Sequence, residues 1–225
     1  MKKSILLLLS ALMLQQAHAQ DMLSTYIENN TSFTNAYMYG HINKLVAKNY
    51  YLKEKDDVPG NYHLTYRPNT KVKQQVVESL TTRMKIPEAR QAFMQYDFDA
   101  TFNTITKGYD LKNNDAGDIM TAYQVLSWIA ANQYVGLPDK AAVAVVRKKT
   151  AAALAALPAV NHDVVARAKM SEEMKILIVI LQSRRIESQK KHQEQNFATQ
   201  VNAEYLNRYG QDLQKLKLDS RGIHP

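Results

Sequence analysis

The stretch DIMTAYQVLSWIAANQYVGLPD, residues 118–139, decides the fold. No charged residue stands between Asp118 and Asp139, and Ile119, Met120, Tyr123, Val125, Leu126, Trp128 and Ile129 cover nearly the whole circumference of a helix. A helix that is apolar all round is a buried one. Gln124, Ser127, Asn132 and Gln133 make it too polar for lipid. The expectation is a central helix, opened at Asn113 or Asn114 and wrapped by the others, with Trp128 in the core.

Helices with readable ends lie on both sides. Asn69 or Thr70 caps a helix that repeats Val72, Val76, Val77, Leu80 and Met84. Pro87 suits the first turn of a second helix carrying Ala89, Phe93 and Met94. Asp97 caps a third through Phe98, Phe102 and Ile105, ending at Gly108. Downstream, Leu137-Pro138-Asp139 starts an alanine-rich helix that Pro158 stops, and its small residues predict close packing on the central helix. Asn161 caps a last helical region ending near Tyr209-Gly210, too long to continue unbroken. Its run Ile176–Leu181 has β-propensity, but strong helix formers flank it and no partner strand of similar strength exists, so helix is expected.

The fold class is therefore all-α: a single-domain bundle of about six helices over 69–225, preceded by an irregular, tyrosine-rich arm over 20–68. Within the arm, Ile42–Lys48 hints at helix, Lys53–Asn61 is a charged loop with Pro-Gly turn chemistry, and Tyr62, Leu64 and Tyr66 alternate as a short extended segment would.

Residues 1–19 read as a cleavable signal peptide. Lys2-Lys3 precede an apolar run from Ile5 to Leu14, and Ala17-His18-Ala19 is a small-residue cleavage pattern with the cut between Ala19 and Gln20. The apolar run is roughly half the length a membrane span needs. Export to the periplasm or secretion is the expectation, with no membrane span. The chain has no cysteine, so no disulfide supports the fold and no lipid is attached to an N-terminal cysteine. The formal charge of +8 falls by two when Lys2 and Lys3 leave. That modest basic excess favours an anionic envelope component or an unidentified protein as partner. Arg147-Lys148-Lys149, Arg184-Arg185 and Lys190-Lys191-His192 are too short for a binding tail and read as solvated helix faces, so nucleic acid is not an expected partner.

Catalytic motifs are missing. There is no Gly-x-Ser-x-Gly elbow, no phosphate-binding glycine loop and no dinucleotide fingerprint, so no catalytic residue and no cofactor are assigned. His41, His63, His162, His192 and His224 are scattered singly, and no metal site is assigned. Asp110, Asn114, Asp115 and Asp118 superficially resemble a calcium loop, but Lys112 occupies a ligand place and Thr121 stands where a bidentate Glu belongs; helix capping explains them better. Asp97 and Asp99 sit at a helix start, where acidic side chains suit the dipole and adjacent-but-one positions diverge. Glu172-Glu173 are expected on a solvated face. Tyr37, Tyr39, Tyr50, Tyr51, Tyr62 and Tyr66, with Tyr26, either contact a partner or pin the arm onto the helical body.

Thr65-Tyr66-Arg67-Pro68, Tyr109–Asp115 leading into Ala122-Tyr123 and Trp128, and Leu218-Asp219-Ser220-Arg221-Gly222 resemble a family of uncharacterised exported bacterial proteins, a domain of unknown function, over about Thr65 to Gly222. The resemblance implies a helical exported domain and supplies no activity or site residue. The leading expectation is a non-enzymatic binding or interaction protein of the bacterial envelope. A cell-wall-directed hydrolase using Asp97, Asp99 or Glu172 in a groove, and an immunity-type protein, are the alternatives.

Overall fold

The computed structural model describes residues 62–225; the leader, the cleavage pair Ala19 and Gln20, and the arm up to Asn61 lie outside the described residues. In chain order the elements are α1 (Thr70–Arg83), a 3-10 turn (Pro87–Ala89) running into α2 (Arg90–Gln95), α3 (Phe98–Ile105), α4 (Ala116–Ala131), α5 (Lys140–Ala155), α6 (Pro158–Asn161), α7 (Val164–Lys190) and α8 (Glu194–Tyr209). A second 3-10 turn (Leu213–Lys215) leads into a hairpin of β1 (Lys217–Asp219) and β2 (Gly222–His224). The described domain is all-α apart from this hairpin, whose antiparallel register pairs Leu218 with Ile223. Among the described residues, no helix is long and apolar enough to cross a membrane.

Side-chain caps set most helix starts. Asn69 Oδ1 accepts from the Lys71 amide at 2.8 Å, and Asp97 Oδ1 from Ala100 at 2.9 Å, as their positions led one to expect. The central helix opens later than Asn113 or Asn114. Asp115 is its cap, accepting from Gly117 and Asp118, while the Asn114 carbonyl receives the Tyr66 amide at 2.9 Å. Asn161 likewise does not cap the long helix. Pro158 opens the single turn of α6, and Asp163 caps α7.

The centre of the molecule is the pair α4 and α7. Residues of α4 are buried on every side, and Trp128 donates its indole N–H to the Leu216 carbonyl at 2.8 Å. α5 packs closely on α4 because Gly117 leaves room: a Cβ there would stand 3.3 Å from Ala151 Cβ. The run Ile176–Leu181 is helical and continuously apolar because it faces more than one cluster. Leu177 and Ile178 join Ile119, Met120 and Met174, while Ile176, Val179 and Ile180 meet Val77, Leu80 and Phe93 beneath α1 and α2. A third cluster joins the end of α4 to Phe197, Val201, Tyr205 and Tyr209 of α8.

The last helical region breaks as anticipated, at His192. Its φ of +54° places it in the left-handed conformation, and the Gln193 amide reaches back to the Ser188 carbonyl at 2.8 Å to close α7. At the other end, Tyr62–Pro68 lies across the start of α4. The Ala116 amide donates to the Leu64 carbonyl at 3.0 Å, and the side chains alternate: Leu64 and Tyr66 are buried, whereas His63, Thr65 and Arg67 are exposed.

Candidate functional site

α3 ends at Ile105, whereas α7 continues to Lys190, and beside them the turn after α3 and the α4–α5 loop enclose an open cavity of about 410 Å³. Ile105, Leu111, Ala122, Val125, Leu126, Ile129, Val143 and Val179 make its wall largely aliphatic. Thr101, Thr104, Gln182, Ser183 and Arg185 supply its polar edge. Thr101 and Thr104 donate their hydroxyl protons to carbonyls of their own helix turn, Asp97 and Ala100.

The α4–α5 loop forms the lip. Gly136 takes a φ of +105°, which an L side chain rarely adopts. Around it the apolar residues face water: Val135 is 92% and Leu137 75% exposed, and Ile186 of α7 adds to the same lip. Two hydrogen bonds from cavity residues hold the loop. The Tyr109 hydroxyl donates to the Pro138 carbonyl at 3.1 Å, and Arg185 Nη2 to the Tyr134 carbonyl at 3.3 Å. The Tyr134 ring leans on Trp128, with centroids 5.4 Å apart.

Arg185 is the unusual member. Burial pulls its guanidinium below the ordinary range, and no carboxylate among the described residues opposes that shift. Its neighbour Arg184 faces Glu204 at 3.3 Å and Gln200 at 3.1 Å, above the Phe197 ring. The solvated face expected for Arg184-Arg185 is thus not what the structure has; α8 and the α4–α5 loop cover those positions.

The carboxylates singled out in the sequence lie apart from this wall. Asp97 caps α3, while Asp99, on the next turn of that helix, pairs with Lys175, so the two diverge as expected. Glu172 and Glu173 are buried, at 7% and 4% exposure, instead of solvated. The reason is that α1, α3, α4 and α8 surround α7 and leave no wet face at this level. Glu172 Oε1 receives the Lys175 ammonium and the Tyr66 hydroxyl, both at 2.9 Å. Lys175 is fully buried and also pairs with Asp99, whose carboxylate reaches solvent. Nearby, the Lys73 ammonium donates to the carbonyls of Met94 and Tyr96 at 3.1 and 2.9 Å, and burial lowers its pKa.

Two further acids have the same character. Glu173 faces Arg83 at 2.9 Å, and Asp118 accepts from Arg147 and from the Lys112 amide; burial raises both pKa values despite the cations. Asp115 and Asp118 therefore cap a helix and hold an arginine. Among the described residues, no cluster of His, Asp and Glu is placed to hold a metal ion.

Of the tyrosines, Tyr66 is buried, its hydroxyl raised far above the ordinary value by burial and by Glu172, and Tyr62 packs half-buried against the same core. Both pin the chain to the helical body. Tyr37, Tyr39, Tyr50 and Tyr51 lie outside the described residues. Sequence reasoning passed over Lys175 and read Arg185 only as part of a solvated face. Lys175 carried a signal, being a lone cation in the apolar centre Met174–Leu181; Arg185 carried none, because its surroundings come from a distant loop.

No protein-family model matches the chain, and no curated protein or solved structure resembles it significantly.

Proposed function

We propose that this chain is an exported, non-enzymatic binding protein of the bacterial envelope whose helical domain takes a small apolar ligand in the cavity beside α3, α4 and α7. The observation that carries the reading is the cavity itself. About 410 Å³ lined by aliphatic side chains, with a few polar groups at one edge, falls within the size and chemistry of small-molecule sites. Export rests on Lys2-Lys3, the apolar run and the Ala17-His18-Ala19 pattern. The carboxylates a hydrolase would use are engaged elsewhere: Asp97 in a cap, Asp99 and Glu172 with Lys175.

The test is titration of the mature chain, Gln20 to Pro225, with the neutral fluorophore N-phenyl-1-naphthylamine. Saturable enhancement is expected, weakened about tenfold or more by Leu126→Trp, which places a larger side chain in the cavity, at unchanged helicity and melting temperature. A wild-type chain that does not bind the probe, or a Leu126→Trp chain that binds equally well, refutes the reading.

A further inference from the structure

Beyond the existence of an apolar site, its walls and the cation Arg185 specify a ligand. We infer that the cavity takes a single-chain organic acid, with the apolar tail along Ile105, Val125 and Ile129 and the oxyanion head paired to Arg185 at the mouth. This rests on the small-molecule reading above and adds the ligand class.

The contrast between adjacent arginines is the core of the argument. Arg184 has an acid, an amide and an aromatic face around it, whereas among the described residues the Arg185 guanidinium makes one hydrogen bond, at 3.3 Å to the Tyr134 carbonyl. A guanidinium carries five donors in a planar fork suited to a carboxylate or phosphate, so most of its capacity is open. Taking a cation partly out of water without a counter-charge is costly, and an incoming oxyanion offsets that cost. Among the described residues, no Asp or Glu lines the cavity to repel it.

The rest of the site suits an apolar tail. Beyond the polar edge the wall is largely aliphatic, and the exposed Val135, Leu137 and Ile186 give an apolar molecule a surface to cross on entry. About 410 Å³ lies near the low end of ligand cavities, which favours one short chain over a two-chain lipid. Since Arg185 also holds the loop through Tyr134, the head group would compete with that carbonyl.

The experiment is displacement of N-phenyl-1-naphthylamine from the mature chain by decanoate and by decanol at neutral pH, in wild type, Arg185→Gln and Arg185→Lys. Decanoate should displace the probe at about tenfold or more lower concentration than decanol, as expected for a hydrogen-bonded charge pair. Arg185→Gln should close that gap by weakening decanoate more than decanol, each measured against the variant's own probe affinity, and Arg185→Lys should keep part of it. Equal potency of the two in wild type, or a gap that persists in Arg185→Gln, overturns the inference while leaving the apolar site standing. Loss of all probe binding in wild type fails the site itself. Sedimentation with phosphatidylglycerol vesicles separates the sources of the head group: capture by vesicles without displacement by monomeric decanoate overturns the assignment to a free acid. Should Arg185→Gln melt at a lower temperature than wild type, the wild-type comparison of decanoate with decanol and the Arg185→Lys chain decide the matter.

Discussion

Replacing Lys175 by Met tests whether the buried charge cluster holds α3 and the Tyr62–Pro68 segment onto α7. In the wild type one ammonium, fully buried, joins Glu172 of its own helix to Asp99 of α3, and Glu172 in turn accepts the Tyr66 hydroxyl. Methionine has nearly the same length and fills the space, so the loss is electrostatic. Asp99 is 42% exposed and returns to water at little cost, whereas Glu172, whose side chain is 9% exposed, is left buried without the ammonium that faces it. Removing one partner of a buried pair costs about 3–5 kcal/mol. For a domain of this size that lowers the melting temperature by about 6–20 °C. The assay is urea unfolding followed by the near-ultraviolet signal of Trp128, the only tryptophan. The second arm is Lys175→Met with Glu172→Gln, in which Gln still accepts from Tyr66 but carries no charge; it should recover about 2 kcal/mol or more. A loss below about 1 kcal/mol in the single variant, or a double variant no more stable than the single, refutes the reasoning.

Glu173 gives a pH dependence of defined sign. Burial raises its folded pKa above the ordinary 4.5, so the folded chain binds the proton more tightly than the unfolded one. Its contribution is greatest below 4.5 and is lost as pH rises through the raised value. The stability of wild type relative to Glu173→Gln should therefore decline from mildly acidic to neutral pH in urea titrations, and a rise would contradict the assignment. Gly117→Val should cost about 1–3 kcal/mol, because its side chain enters the contact with Ala151 and Leu64; Gly117→Ala should cost less, helix propensity offsetting the crowding. His192→Gly should stabilise the chain by up to about 1 kcal/mol, a rise of roughly 2–4 °C by calorimetry, by relieving the left-handed conformation that ends α7.

The helices were legible because their signals are local. Asn69, Asp97 and Asp139 cap where a short polar side chain precedes an apolar periodicity, and Gly210 ends α8 where a positive φ is needed. The errors at Asn113–Asn114 and Asn161 arose where several capping residues stand together, and the backbone pairing of Asn114 with Tyr66, or the single turn of α6, selected among them. Solvent exposure was misread for Glu172, Glu173 and Arg184 because a helix period says which residues share a face, not whether another helix lies over it.

From its sequence alone this chain is recognisable as a helical domain built around the run between Asp118 and Asp139, since an uncharged stretch apolar on all sides of a helix belongs in the interior. The buried Lys175 cluster, and separately the cavity that Arg185 lines together with the α4–α5 loop, exist only in the tertiary structure. Each is assembled from elements far apart in the chain, and the free energy of a charge depends on what surrounds it in space, which neither periodicity nor capping records.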